Sequence, residues 1–162
     1  MANPYRGDKT VRLGDEARDT VTGFRGIVTA HTRWLNNCDR YTLQPAADKR
    51  SKVPNSESFD APNLERVNGG VGEAIAVIRP KDPVDLADEV KDRLTGASGI
   101  VVAHTIWLNG CSRLMIQPKA LDAEGRPAAL VTVDEKDARI IKRAKPVAQV
   151  KTGGPRPSPR MP

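Results

Sequence analysis

Residues 22–40 read TGFRGIVTAHTRWLNNCDR, and residues 95–113 read TGASGIVVAHTIWLNGCSR. The two stretches belong to a longer match. Residues 13–45 align with 86–118 at a constant offset of 73, without a gap, and 19 of the 33 pairs are identical. Each copy reaches a Gln-Pro, at Gln44-Pro45 and Gln117-Pro118. Beyond it the match weakens, and Phe59-Asp60 corresponds to Val133-Asp134 after a shift of one residue. Self-similarity on this scale marks a copied supersecondary unit. It divides the chain into a first module at 10–68, a linker at 69–83, a second module at 84–142 and a tail at 143–162.

The repeated unit reads as strands. Asp19–Thr22 alternates and stops at Gly23, and a short turn ends at Gly26. From Ile27 to Leu35 the chain is β-branched and apolar, with no stripe of helical period. Asn109-Gly110 is a strong hairpin signal, since both residues tolerate the positive φ of a tight turn, and Asn36-Asn37 stands in its place in the first copy. A two-residue turn there pairs Leu35 with Cys38. A return strand runs over Arg40–Gln44, followed by short pieces at Ser58–Asp60 and Leu64–Val67. The linker, rich in glycine and proline, adds one short apolar strand at Ala74–Ile78. About five strands in each copy and hardly any helix predict an all-β fold, as small barrels whose closure removes unprotected edges.

Composition agrees and excludes several classes. Of 162 residues 38% are hydrophobic, only six are aromatic, and 13 Gly with 13 Pro call for many turns. No apolar run approaches the ~20 residues of a membrane span, so no membrane partner is expected. The opening MANPYRGDKT has no apolar stretch of the signal-peptide kind, and secretion by that route is not expected. The net charge of +6 is localised: six of the 26 bases and no acid fall within residues 142–162, leaving 20 bases against 20 acids before them.

The segment DTVTGFRGIV, echoed as DRLTGASGIV, resembles the opening of Src-homology-3-like (SH3-like) small barrels of the KOW and Tudor kind. In those families a strand, a Gly-containing turn and a longer bent strand come first. The resemblance covers about 50 residues of each module and implies two tandem SH3-like barrels. The larger unit G-I-V-x-A-H-T-x-W-L-N-x-C-x-R is similar to small accessory proteins of tailed bacteriophages, to which no catalytic function attaches.

Every His, Trp and Cys of the chain lies in the repeat, as the pairs His31/His104, Trp34/Trp107 and Cys38/Cys111. Strict strand alternation puts Val28, Ala30, Thr32 and Trp34 on one face, with identical residues Val101, Ala103, Thr105 and Trp107 in the second copy. An unvarying face of alternating small and large side chains predicts a barrel interior, with Val28, Val101, Trp34 and Trp107 as core. An aromatic cage common to both modules is excluded, because Phe24, Tyr41 and Phe59 become Ala97, Leu114 and Val133. Two His and two Cys are zinc-type ligands, yet the hairpin separates His31 from Cys38 by roughly 13 Å at 3.3 Å per residue. One module therefore cannot close a metal site, and the histidines are read as hydrogen-bonded groups at the barrel edge. Cys38 and Cys111, beside the hairpin tips, are reduced thiols if the protein stays in the cytosol; the alternative is a disulfide between them or to another subunit.

No phosphate loop, G-x-S-x-G or H-E-x-x-H occurs, so neither enzymatic activity nor a cofactor is expected. The acidic lead-ins Asp15-Glu16 and Asp88-Glu89, with Asp19 and Asp92, read as solvated surface; the alternative is contact with a divalent ion or a basic partner. The tail KRAKPVAQVKTGGPRPSPRMP cannot bury enough apolar area to offset the entropy of ordering, and is expected to be an extended basic arm. Candidate partner-binding residues are Arg33, Arg40 and Arg113 on the modules, then Lys142, Arg143, Lys145, Lys151, Arg156 and Arg160 towards the end.

Duplicated modules present two equivalent docking surfaces, and linking them raises the effective concentration of the second contact. With the phage resemblance, this favours a non-enzymatic virion component made in the host cytoplasm. The concrete reading is a capsid decoration (cement) protein that docks on a lattice of major capsid protein or other virion subunits. Self-association and nucleic-acid contact through the tail are further expectations. The alternative is a KOW-like nucleic-acid or ribosome-associated protein using Arg25, Arg33, Arg40 and the tail, with only Arg113 kept of those body positions in the second module. A third is a small-molecule binder using the tryptophans.

Overall fold

A computed structural model describes residues 11–72 and 80–145. The strand expected at Ala74–Ile78, and the tail residues Lys151, Arg156 and Arg160, lie outside the described residues. Within them the fold is all-β, and no helix is long and apolar enough to cross a membrane. The first copy holds β1 (Glu16–Asp19), β2 (Arg25–Trp34), β3 (Arg40–Gln44), β4 (Glu57–Asp60) and β5 (Leu64–Asn68). The second repeats it as β6 (Glu89–Asp92), β7 (Ser98–Trp107), β8 (Ser112–Gln117), β9 (Val131–Asp134) and β10 (Ala138–Lys142). A 3-10 turn precedes the last strand of each, at Ala61–Asn63 and Glu135–Asp137.

Every ladder is antiparallel. The first copy pairs in the order β5-β1-β2-β3-β4 and the second in the order β10-β6-β7-β8-β9. Among the described residues the ladders do not close on themselves. Instead β2 pairs with β7, which joins all ten strands into one sheet. Each copy keeps its own buried cluster: Val11, Ala17, Val28, Leu43 and Leu64 in the first; Val84, Val90, Val101, Leu114, Ile116 and Val133 in the second. Burying a Val or Leu side chain fully contributes about 1.5–3 kcal/mol.

The repeated polar residues build the turns. Asp19 Oδ2 accepts from the amide of Thr22 at 2.8 Å and from its hydroxyl at 2.6 Å; Asp92 and Thr95 repeat this at 2.9 and 2.5 Å. Gly23 and Gly96 follow with φ of 78° and 77°, the left-handed region that favours glycine. Gln44 Nε2 donates to the carbonyls of Pro45 and Pro54, and Gln117 Nε2 to those of Pro118 and Ala128, so each Gln-Pro clamps the loop after its strand. The acidic lead-ins are not solvated surface as predicted: Asp15, Asp19, Asp88 and Asp92 are all buried. Their oxygens satisfy backbone amides that the sharp turns leave without ladder partners.

The predicted two-residue hairpin is one residue longer. Trp107 N–H donates to Cys111 O, and Gly110 N–H to Trp107 O, both at 2.9 Å. The loop is Leu108–Gly110, with Gly110 at φ 84°. This is a three-residue connection whose last position must be left-handed.

Candidate functional site

A β-bulge falls between Val28 and Ala30 in β2, and its copy falls between Val101 and Ala103 in β7. Val28 pairs with Leu43 but Ala30 with Thr42, which lie on opposite faces of β3. One extra residue therefore reverses the alternation. Val28 and Val101 point into the module cores as predicted, while Ala30, Thr32 and Trp34, with Ala103, Thr105 and Trp107, turn outward. Neither tryptophan belongs to a core cluster. Trp34 is partly buried and Trp107 is 36% exposed. The expectation that both are core anchors is thus corrected, and the bulge is the reason.

The outward face is arranged in transverse rows by the strand register. The middle row runs Asp60, Arg40, Thr32, Thr105, Arg113, Asp134 across β4, β3, β2, β7, β8 and β9. It reads alike from both ends. Arg40 bridges Asp60 and Arg113 bridges Asp134, each at 3.1 Å, and the hydroxyls of Thr32 and Thr105 lie 2.8 Å apart. One flanking row carries Ser58, Thr42, Ala30 and Trp107, and the other Trp34, Ala103, Met115 and Thr132. Each tryptophan faces the buried alanine of the other copy. The amides of Leu35 and Leu108 complete the junction, donating to Val102 O at 2.9 Å and Thr29 O at 2.8 Å. The middle charges are paired within the face, so its centre is neutral, and its larger apolar groups are the two indoles and Met115. The indole Nε1 of Trp34 is buried and has no hydrogen-bond partner among the described residues.

Cys38 and Cys111 are exposed free thiols. Extending the register places them three strands apart and about four residues apart along the strands, roughly 19 Å. A disulfide requires Cα atoms within about 7 Å, so the bridge between them suggested by the sequence does not form in this fold.

The histidines are hydrogen-bonded on the opposite face. His31 Nε2 lies 2.9 Å from Asp39 Oδ2, and its ring stacks on Tyr41 with centroids 4.4 Å apart. Burial, then the nearby Asp39 charge, raises the Tyr41 phenol above its ordinary value. His104 Nε2 lies 2.7 Å from Ser112 Oγ and 3.3 Å from Glu135 Oε2, and Ser112 donates to the same carboxylate at 2.5 Å. Burial alone would raise Glu135, but hydrogen bonds from His104 and Ser112, the His104 charge and the Val84 amide outweigh it and hold the carboxyl at about 2. Sequence reading missed this hub because Glu135 replaces Ala61 of the first copy and Ser112 replaces Asp39. Ser112 and Glu135 meet the same imidazole nitrogen, so Glu135 does not orient His104 against Ser112 as a catalytic triad requires. Among the described residues no three His, Cys, Asp or Glu side chains gather as a metal set.

The predicted partner-binding cations are scattered. Arg33 is exposed on β2, whereas Arg40 and Arg113 are held by their aspartates. Arg143 is not a tail residue as predicted. It donates to Pro83 O at 2.9 Å and Asp88 Oδ2 at 2.8 Å and also bonds Asp82, fastening the end of β10 to the start of the second copy. Lys142 and Lys145 flank it and are exposed. In comparisons with known proteins, no family model, no curated protein and no solved structure matches the chain.

Proposed function

We propose that each copy is a small SH3-like barrel left open along one side, and that the chain is a non-enzymatic binding protein: a decoration (cement) protein of a tailed-phage capsid, docking through the outer face of β2 and β7. Five antiparallel strands per copy in one shared order support the fold reading. The observation that carries the functional reading is the two-fold-like face itself. Trp34 and Trp107 are set symmetrically about Thr32 and Thr105, on a neutral centre. Partly exposed tryptophans are the residue type that dominates binding energy at protein interfaces. A closed shell of identical subunits contains two-fold contacts in which the same patch appears twice. A monomer with an internal two-fold fits there with both halves engaged, and the second contact is then intramolecular. The nucleic-acid alternative loses body cations in the repeated motif, since Arg25 is bound to Glu16, Arg40 to Asp60 and Arg113 to Asp134.

The test is co-sedimentation of the full chain with purified particles of a tailed phage carrying this coding sequence. Wild type should pellet with the particles, and Trp107→Ala should reduce the bound fraction at least tenfold while melting normally. Wild type left in the supernatant, or equal binding by both proteins, contradicts the reading.

A further inference from the structure

The second copy carries a cationic surface that the first lacks, and the repeat supplies the control. On the outer face of β6 and β10, Lys91 stands directly opposite Arg139, and Glu89 opposite Lys142. The same register in the first copy sets Arg18 opposite Glu65, which form an ion pair, and Glu16 opposite Asn68, which donates to it at 2.6 Å. A complementary pair has thus become two cations in direct register, an arrangement that opposes sheet stability.

Beside it lies an open depression of about 240 Å³ lined by Lys119, Lys142, Arg143 and Lys145, with Glu89 the only acid among the described residues that line it. The equivalent residues of the first copy are Ala46, Asn68, Gly69 and Val71, none of them charged. Lys119 is bound to Glu89 at 2.8 Å, and Arg143 to Asp82 and Asp88. Lys91, Arg139, Lys142 and Lys145 form no ion pair among the described residues. The two rows, Lys91 with Arg139 and Glu89 with Lys142, are about 7 Å apart along the strands. The sequence then continues from Lys145 to Lys151, Arg156 and Arg160 with no acid.

We infer that this strip of β6 and β10 binds the phosphate backbone of a nucleic acid, independently of the docking face. Unpaired cations in line, without an aromatic side chain among them, fit sequence-neutral phosphate contact, in which each neutralised phosphate releases counterions.

The test uses the full chain and a fluorescent 20-nucleotide single strand, with affinity measured by anisotropy at several salt concentrations. Wild type should bind at 50 mM salt, with affinity falling steeply as salt rises. The variant Arg139→Glu/Lys142→Gln/Lys145→Gln should bind at least tenfold more weakly, with the slope of log K against log salt reduced by about 2. Arg139→Glu alone should weaken binding without lowering the melting temperature, because it restores opposite charges across β6 and β10. Arg18→Gln/Arg25→Gln in the first copy should leave binding within twofold. The inference is overturned if wild type does not bind, if the strip variants bind like wild type, or if Lys151→Gln/Arg156→Gln/Arg160→Gln alone abolishes binding. It also falls if poly-glutamate competes better than the oligonucleotide, which would assign the strip to an acidic protein.

Discussion

Thr32 and Thr105 are counterparts under the 73-residue repeat, and their hydroxyl oxygens lie 2.8 Å apart. A side chain that bonds its own copy lies on the axis relating the two copies. The remaining pairs obey the same rule, Ala30 with Trp107 and Trp34 with Ala103. The duplication is therefore a two-fold assembly within one chain, whose junction is a β-ladder between the two longest strands.

The two hydroxyls should be energetically coupled. Thr105→Val alone leaves Thr32 without its partner and is expected to cost about 1 kcal/mol. Thr32→Val/Thr105→Val should cost less than the sum of the two single changes, by at least 0.5 kcal/mol on the usual scale of coupled neighbours. Urea denaturation of the four proteins measures the cycle, and strict additivity would place the two side chains out of contact.

Acid should unfold the chain partly through Glu135. Its carboxyl is held at about 2 against an ordinary 4.5. A depressed carboxylate contributes stability that is present above its unfolded value and lost as pH falls towards the folded one. The loss should therefore run from about pH 4.5 down to about pH 2, with an upper magnitude of about 3 kcal/mol. Asp19, Asp88 and Asp92, also lowered, act in the same direction. Glu135→Gln should be destabilised by about 2–3 kcal/mol at pH 7 and much less at pH 2.5. A constant difference across that range of pH, followed by thermal melts, would show that the carboxylate's charge is not responsible.

Gly99 is required by space rather than by φ. A Cβ there would lie 2.2 Å from Gln117 O and 2.6 Å from its carbonyl carbon, both backbone atoms that cannot swing away. Gly99→Ala should cost about 2 kcal/mol or more, whereas Gly125→Ala, with nothing near its Cβ, should cost less despite its φ of 75°. Melting temperatures of the two variants decide the order.

Both thiols should react at once with a chromophoric disulfide reagent in the native protein, giving two equivalents, since Cys38 and Cys111 are exposed and unbridged. Cys38→Ser/Cys111→Ser should change stability by less than about 0.5 kcal/mol, as for ordinary surface positions. Fewer than two equivalents in freshly reduced monomer would place a thiol inside the fold.

Much of the strand plan was legible, although the first strand, read at Asp19–Thr22, lies at Glu16–Asp19 with residues 20–22 in the turn. The return strand expected at Arg40–Gln44 is β3, and the pieces at Ser58–Asp60 and Leu64–Val67 each fall one residue short of β4 and β5. The shifted match of Phe59-Asp60 to Val133-Asp134 is seen in the shared pairing of Asp60 with Arg40 and Asp134 with Arg113. The face of β2 was misread because the bulge at Thr29 leaves no mark in the alternation of side chains. The identity of Ala30, Thr32 and Trp34 in both copies was visible, but a barrel interior and a two-fold junction demand the same residues. What distinguishes them is a partner strand 73 residues away, which periodicity within one strand cannot report. The buried carboxylates were missed for a related reason: Asp19 and Thr22 look polar singly, and only the turn brings them together.

The junction of β2 with β7 is tested most directly by nuclear magnetic resonance of the full chain in solution. Nuclear Overhauser contacts should link Thr32 with Thr105, and the amides of Leu35 and Leu108, bonded to Val102 and Thr29, should exchange with deuterium as slowly as those inside β3 and β8. Absence of the Thr32–Thr105 contact, with Leu35 and Leu108 exchanging at the rate of open loops, would mean that the two copies fold apart and that no shared face exists.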